Sequence, residues 1–356
     1  MTDHSSVLHA HGYHKLRVKD VVRETHDASS FVLEVPDELA ETFNYRPGQF
    51  CAFRVSVDGV EQVRSYSMSS APEIDADLTV TVKRVAGGLV SNWFLDHIGV
   101  GDVVEVTRPA GVFCPQDGAD RPVLAFCGGS GVTPVMSITK HVLTDTGRSV
   151  RLLYANRDRD SVIFDDALGG LRGANPDRLA VQHHLDDAGG FLTADAIKAF
   201  VGTDASDADC YVCGPGPFMD LVEAELVELG VPPERIFIER FLVEQQEKEV
   251  AATATGEADR EARLPDEVSV ILGGKKTVVK YQPGDTLLET ARRGGLRPPF
   301  SCEAGNCATC MAFLKEGTVR MRANNALTPE EVEEGWVLTC QSLPSGETVT
   351  VEYEAM

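Results

Sequence analysis

Apolar and polar positions change rhythm twice along this chain of 356 residues. In the first third they form short runs, 31–35, 78–83 and 103–106, and the second of these alternates cleanly with the two-residue period of a half-buried strand. Pro47-Gly48 and Pro109-Ala110-Gly111 punctuate them. Many short strands separated by turn signals predict an antiparallel barrel or sandwich. From Arg121 onward the runs become continuously apolar: 123–127, 150–155, 179–181 and 210–213, with a helix-like stretch at 134–143 after the first. Strands buried on both faces that alternate with helices predict a parallel sheet covered on both sides.

The rhythm disappears between Gln245 and Glu267, where the chain is charged and rich in Ala and Thr; this reads as a linker. A compact third unit follows. It opens with a hairpin, 268–272 and 277–281 around Gly273-Gly274. A helix over 286–293, a cysteine loop and short strands complete it. The domain bounds are then 1–14 for a disordered tail, 15–115, 116–243, 244–266 for the linker, and 267–356, with the first internal boundary placed between Gly111 and Arg121.

Composition narrows the picture. Apolar residues make up 43% of the chain, enough for packed cores. No stretch reaches the ~18 uninterrupted apolar residues of a membrane span. The polar, His-rich start lacks the apolar core of a signal peptide, so a cytoplasmic location is expected. The net charge of -22 excludes nucleic acid and anionic membranes as expected partners, since both attract positive charge. His4, His9, His11 and His14 read as part of the tail and not as a metal site; His183-His184 reads as structural.

Nine cysteines in a reducing compartment point to a metal site, not a disulfide framework. Cys302, Cys307 and Cys310, followed by the distant Cys340, form a C-x4-C-x2-C…C pattern, the plant-type spacing for a [2Fe–2S] cluster. Four thiolates must converge on two irons from one wrapped loop. The small residues between them, Ala304, Gly305, Ala308 and Thr309, let backbone N–H groups approach the sulfides. A structural zinc site is the competing reading, but zinc modules usually bring paired short spacings.

Four further segments carry chemistry. Arg64-Ser65-Tyr66-Ser67 offers a guanidinium for a pyrophosphate, an aromatic ring for stacking and a hydroxyl for a ring nitrogen. Gly87-Gly88-Leu89-Val90-Ser91 reads as a turn entering a short helix, whose first amides favour an anion; a plain helix start capped by Ser91 is the bland alternative. Gly128 to Pro134 follows an apolar strand and opens a helix, the setting that phosphate binding needs. Cys213-Gly214-Pro215 ends another strand and leaves room for a planar ring. Cys210 and Cys213 do not read as a redox pair, because residues three apart on a strand face opposite sides.

In this order the motifs resemble the ferredoxin–NADP reductase superfamily from about Lys15 to Val243, and about the last ninety residues resemble a plant-type ferredoxin. Arg46-Pro47-Gly48-Gln49-Phe50 and Tyr154-Ala155-Asn156-Arg157 fit the same group. The whole chain resembles the reductases of multicomponent oxygenases, among them those of 3-ketosteroid 9α-hydroxylase and phenylacetyl-CoA epoxidase. That resemblance implies a multidomain fold: an antiparallel flavin-binding β-barrel, an α/β nucleotide domain with a parallel sheet, and a β-grasp ferredoxin-like α+β domain. It implies that Arg64 binds the FAD pyrophosphate, with Tyr66 and Ser67 at the isoalloxazine. Val82 to Arg84 would line the adenylate side by backbone, and Gly88, Val90 and Ser91 would close the pyrophosphate site. Gly129, Gly131 and Thr133 would hold the dinucleotide. Cys213 and Gly214 would abut the nicotinamide, and Phe241 would cover the flavin. Ser67, Cys213 and Phe241 are the expected catalytic set.

FMN is the alternative to FAD. Arg157 and Arg159 could hold a 2′-phosphate while Asp158 and Asp160 would repel it; the resemblance favours NADH over NADPH. The expected activity is hydride uptake from NAD(P)H and release of single electrons, through the cluster, to a separate oxygenase or hydroxylase. Glu303 and Asn306 would meet that partner, and the linker would let the ferredoxin unit swing. The alternatives are a redox-sensing or scaffold protein without turnover, and a reductase serving a diiron epoxidase or desaturase.

Overall fold

The computed structural model describes residues 13–202, 207–241, 264–300, 305, 308–324 and 326–353. Three sheets organise them. The first holds β1 (Tyr13–Arg23), β2 (Ala28–Glu34), β3 (Phe50–Val57), β4 (Val60–Ser67), β5 (Leu78–Lys83) and β6 (Val103–Thr107) in the order β4-β3-β6-β1-β2-β5. Neighbouring strands are antiparallel. A bridge from Met68, just past β4, to Val80 in β5 joins the two edges, so the sheet closes as a barrel. Its core is built by Leu16, Val18, Phe31, Phe53, Val80 and Phe94, the last from helix α1 (Leu89–His97).

Two of the 14 residues assigned to the expected tail are placed in a strand, and the other twelve lie outside the described residues. Tyr13 and His14 belong to β1, where His14 pairs with Val106 and the Tyr13 ring lies 4.2 Å below the Arg54 guanidinium. The periodicity of β1 is hard to see, because only Leu16 and Val18 of its eleven residues are buried.

The second sheet is parallel, in the order β11-β10-β7-β8-β9: β7 (Val123–Gly128), β8 (Val150–Asn156), β9 (Leu179–Leu185), β10 (Asp209–Cys213) and β11 (Ile236–Glu239). Helices α2 (Val132–Asp145), α3 (Asp165–Ala174), α4 (Ala194–Val201) and α5 (Gly216–Glu228) cover it. Two separate apolar clusters result, one on each face. Cys213 lies in the first and Cys210 in the second, as strand alternation requires.

The third sheet is mixed, in the order β13-β12-β16-β14-β15. β12 (Glu267–Leu272) and β13 (Lys275–Lys280) form the expected hairpin, with Gly273 and Gly274 both at positive φ, as a two-residue primed turn demands. β12 runs parallel to β16 (Ser342–Glu352), which pairs with β14 (Met311–Met321), and β15 (Trp336–Leu338) forms the edge. β14 and β16 are eleven residues each, longer than the short strands expected there. Helix α6 (Leu287–Arg293) carries a Thr286–Glu289 capping box, and α7 (Pro329–Glu334) one between Thr328 and Glu331.

Most of the expected linker lies outside the described residues. Its last residues belong to the third unit: Leu264 packs on that core and Asp266 bonds Tyr281. No helix among the described residues is long and apolar enough to cross a membrane.

Candidate active site

Strand β4 sorts its side chains by its two-residue period: Ser65 and Ser67 on one side, Arg64 and Tyr66 on the other. The Tyr66 ring meets Phe53 and Phe94, with centroids 5.6 and 5.7 Å away. Burial pushes its hydroxyl pKa up, so it stays protonated. Arg64, half-buried, donates to the Val63 carbonyl at 2.7 Å. The hydroxyls of Ser65 and Ser67 are buried, and neither finds a hydrogen-bond partner among the described residues. A buried polar atom left unpaired costs about 1–3 kcal/mol, so two such hydroxyls on one side of a strand mark a place for a polar ligand.

Gly88 caps α1, and a Cβ there would stand 2.8 Å from Ser91 Oγ. The Ser91 hydroxyl does not cap the helix; it accepts from the Val85 amide at 3.2 Å. Val90 and Val82 are core side chains of the barrel. What this edge offers a ligand is backbone, chiefly the first-turn amides of α1. The Arg84 guanidinium is pinned to Asp96 at 2.6 Å, and its amide donates to the Asp27 carbonyl at 2.7 Å.

The nucleotide domain contributes two strand ends that touch. β7 and β10 are parallel neighbours with Cys127 opposite Cys213. A Cβ on Gly131 would lie 2.1 Å from the Cys213 carbonyl oxygen, and one on Gly214 would lie 2.9 Å from the Gly128 nitrogen. Only glycine permits that approach. The Tyr154 hydroxyl donates to the Gly129 carbonyl at 3.2 Å, and the Thr133 hydroxyl to the Ser130 carbonyl at 3.0 Å, so the turn is held from within.

Cys213 is fully buried, and burial, followed by Glu239 and Cys127, pushes its thiol pKa well up. It is a neutral packing surface and not a thiolate. Opposite it in the β10–β11 register stands Glu239, whose carboxyl burial pushes up to about 8. Phe241, two residues on, packs half-buried against the same core. The site thus places a thiol, a protonatable carboxyl and a phenyl ring at the carboxyl ends of parallel strands, where nucleotides bind in open α/β sheets.

The charged segment 157–160 is dispersed. Arg157 pairs with Asp27 of the barrel at 3.1 Å, and Arg159 with Asp165 at 2.5 Å. Asp158 caps the turn that follows by accepting from the Ser161 amide. Arg159 and Asp160 line a cavity of about 660 Å³ between the two domains, together with Glu24, Ser30 and Lys140.

Cys302 and Cys307, with Glu303 and Asn306, lie outside the described residues. Cys310 and Cys340 are brought together: both are buried, and the Cys340 amide donates to Cys310 Sγ at 3.5 Å. Of the described residues between the cysteines, Gly305 and Ala308 take left-handed backbone conformations, with φ of +79° and +54°. Cys310 and Cys340 share one apolar cluster with Phe50, Leu288, Leu327 and Trp336. Phe50 belongs to the barrel and pairs with Ser67 in the β3–β4 register.

Comparisons with known proteins bear on this arrangement. Residues 15–114 match the oxidoreductase FAD-binding domain, 126–224 the oxidoreductase NAD-binding domain, and 270–345 the 2Fe-2S iron-sulfur cluster binding domain. The ferredoxin reductase component of 3-ketosteroid-9-alpha-monooxygenase from Rhodococcus rhodochrous is 39% identical over 339 residues, which cover 95% of this chain and 96% of that one. The chain belongs to the family of oxygenase reductases built from FAD, NAD and [2Fe–2S] domains. A component of the 1,2-phenylacetyl-CoA epoxidase of Escherichia coli is 31% identical over 356 residues, 96% of this chain and 98% of that one. The structure of phthalate dioxygenase reductase shares the fold, with a TM-score of 0.58 at 24% identity over 96% and 98% of the two chains. This reductase is an NAD(P)H-dependent oxidoreductase, the component of an oxygenase system that passes electrons on through its [2Fe–2S] domain.

The described residues of the reductase fit these groups. The orphan hydroxyls of Ser65 and Ser67 suit a flavin ring edge, and the paired buried Cys310 and Cys340 suit cluster ligation. Two features of the site escape a reading of the sequence alone. Glu239 sits on a short strand, Ile236–Glu239, that shows little periodicity, and only its register with Cys213 gives it meaning. The clasp between α2 and the barrel is also invisible in sequence: Ser137 donates to the Ser70 carbonyl at 2.5 Å, Lys140 pairs with Asp75 at 2.8 Å, and His141 meets Glu73 at 2.9 Å.

Proposed function

We propose that this reductase takes hydride from NADH beside Cys213 and Gly214, uses FAD, and delivers electrons to a terminal oxygenase of the 3-ketosteroid-9-alpha-monooxygenase kind. When bound, FAD accepts a pair of electrons and can release them singly, and a [2Fe–2S] cluster carries one at a time. Ser67 orients the flavin ring by hydrogen bonding. Arg64 and the first-turn amides of α1 hold its pyrophosphate. Gly129, Gly131 and Thr133 seat the dinucleotide, while Cys213 and Gly214 shape the slot for the nicotinamide and Phe241 covers the ring. Glu239 holds or yields a proton at its carboxyl. Cys302, Cys307, Cys310 and Cys340 ligate the cluster.

The observation that carries this reading is Phe50. It faces Ser67 across the β3–β4 pair and belongs to the same apolar cluster as Cys310 and Cys340, so one cluster links the proposed flavin edge with the proposed cluster ligands. NADH is favoured because both arginines of the 157–160 segment are paired with carboxylates, and Asp158 and Asp160 oppose a 2′-phosphate. FAD is favoured over FMN by the pyrophosphate-binding edge at α1. The steroid-type partner is supported by identity near 39% along the whole chain, against 31% for the epoxidase component. Thiolate ligation of a [2Fe–2S] cluster by Cys302, Cys307, Cys310 and Cys340 supports a reducing, cytoplasmic site of action.

Rapid mixing of the purified holoprotein with NADH tests the reductase reading. Bleaching of flavin and then cluster absorbance is the expected result, and an unchanged spectrum would favour a sensor or scaffold. Turnover with a purified 3-ketosteroid oxygenase, compared with a diiron epoxidase, tests the partner.

A further inference from the structure

Helix α2 carries His141 and Asp145 four residues apart, so both side chains project from one face of its last turns. Opposite them stands Glu73, in the connection between β4 and β5 of the barrel. His141 Nδ1 lies 2.9 Å from Glu73 Oε1 and 3.9 Å from Asp145 Oδ2. One donor atom from each of the three residues lies within 4.8 Å of the other two. Among the described residues, Glu73 and Asp145 pair with no basic side chain other than His141. The neighbouring Lys140 is committed to Asp75 and to the Ser69 carbonyl, at 2.8 and 3.2 Å. The turn that presents Glu73 is held from within: the Asp75 amide donates to the Ala71 carbonyl at 2.9 Å, and the Ala71 amide to the Asp75 carboxylate at 2.7 Å.

The ring nitrogen Nδ1 has room for one proton or one metal ion. A proton there serves Glu73 and leaves Asp145, at 3.9 Å, beyond hydrogen-bond reach. An ion serves all three groups at once. Zn2+ binds imidazole nitrogen and carboxylate oxygen at about 2.0–2.2 Å, and at tetrahedral angles such ligand atoms stand about 3.4 Å apart. The two separations from Nδ1, 2.9 and 3.9 Å, bracket that spacing. The imidazole turns the choice away from Ca2+ and Mg2+, which favour shells of oxygen alone. We propose that Glu73, His141 and Asp145 bind a Zn2+ ion, with water completing its shell, and that the ion staples α2 to the barrel. The Glu73 and His141 side chains are 21% exposed and that of Asp145 47%, so the ion enters from solvent. His141 stands nine residues into α2, roughly 14 Å along the axis from the dinucleotide turn at its start. The ion therefore holds the domain seam from behind the active site and touches neither flavin nor nicotinamide.

The test uses the full chain loaded with FAD and cluster, freed of loose metal on a chelating resin and then dialysed against ZnCl2. Bound zinc is measured by elemental analysis, and the thermal midpoint by the fluorescence of released flavin. His141→Gln removes the nitrogen ligand, and Asp145→Asn weakens the most exposed oxygen ligand. The histidines near the N-terminus and the cysteines are the same in every variant, so any zinc they take cancels in the comparison. The wild type is expected to retain one more Zn2+ per chain than His141→Gln. Its midpoint is expected to rise by several degrees with ZnCl2, while that of the Gln variant stays fixed. Asp145→Asn needs a higher ZnCl2 concentration for the same rise, and CaCl2 gives none. Equal zinc contents in the wild type and His141→Gln overturn the proposal, as does a ZnCl2 shift common to both. A shift with CaCl2 that survives His141→Gln also overturns it, since the group is then an ordinary acidic surface. Should the Gln variant fail to fold, Asp145→Asn decides alone, and a zinc affinity equal to that of the wild type overturns the site.

Discussion

At the scale of single residues, Ser67 and Glu239 make opposite kinds of commitment. The Ser67 hydroxyl is buried without a partner, so the protein alone gains nothing from it. Ser67→Ala removes an unpaired buried hydroxyl and is expected to stabilise the flavin-free protein by up to about 1–3 kcal/mol. The stabilisation that FAD confers on the thermal midpoint is expected to fall, and flavin reduction by NADH to slow tenfold or more. Melting curves with and without FAD, and stopped-flow absorbance, check both. Glu239 is a carboxyl that burial holds near 8, against ~4.3 in an unfolded chain. Between those values the folded state binds one more proton than the unfolded one, so its contribution to stability declines as pH rises from about 4 to about 8 and is constant above. Glu239→Gln removes this decline. The variant gains on wild type by up to about 1.4 kcal/mol per pH unit across that window, which melting at pH 5 and pH 8.5 would reveal; parallel curves would refute it.

At the scale of elements, two strand ends hold the site together because glycine lets them. The Gly131–Cys213 approach leaves no space for a methyl group against backbone. Gly131→Ala is expected to cost about 1–3 kcal/mol by overpacking and to impair NADH-dependent flavin reduction. Gly147→Ala, in open space beyond α2, is the control and is expected to do neither. Thermal midpoints and single-turnover reduction rates separate the two. The glycine cluster was legible in sequence as a strand–turn–helix signal. That its second wall is Cys213-Gly214 was not, because β7 and β10 are far apart in the chain and adjacent only in the sheet.

At the scale of the molecule, the ferredoxin unit rests on the barrel through a small apolar patch and an ion pair between Arg108 and Glu331. The Gly111 amide also reaches the Ala326 carbonyl at 3.3 Å. Arg108→Gln weakens this contact by about 1 kcal/mol. Flavin reduction by NADH is expected to proceed at the wild-type rate, whereas cluster bleaching slows several-fold; a uniform slowing of both would refute a role in docking. The Arg46–Phe50 segment serves the same seam. Gly48, at φ +94°, has its Cα against the Phe113 carbonyl, Gln49 donates to Gly111, and Phe50 shares an apolar cluster with Cys310 and Cys340. It braces the domain boundary, a role its motif alone does not disclose.

By itself the amino-acid order determined whatever is local. The proposed cluster ligands are read from the C-x4-C-x2-C spacing, the glycine turns from their place after apolar runs, and the hairpin of the third unit from paired glycines between alternating strands. Each depends on covalent spacing or on a period of two. The tertiary structure alone decided which of these meet. Glu239 faces Cys213, Phe50 pairs with Ser67 and shares an apolar cluster with Cys310 and Cys340, and Lys83 arrives at Gly129 from another domain. Those encounters depend on strand order and domain packing, where neighbours in space are distant in sequence, and no periodicity along the chain encodes them.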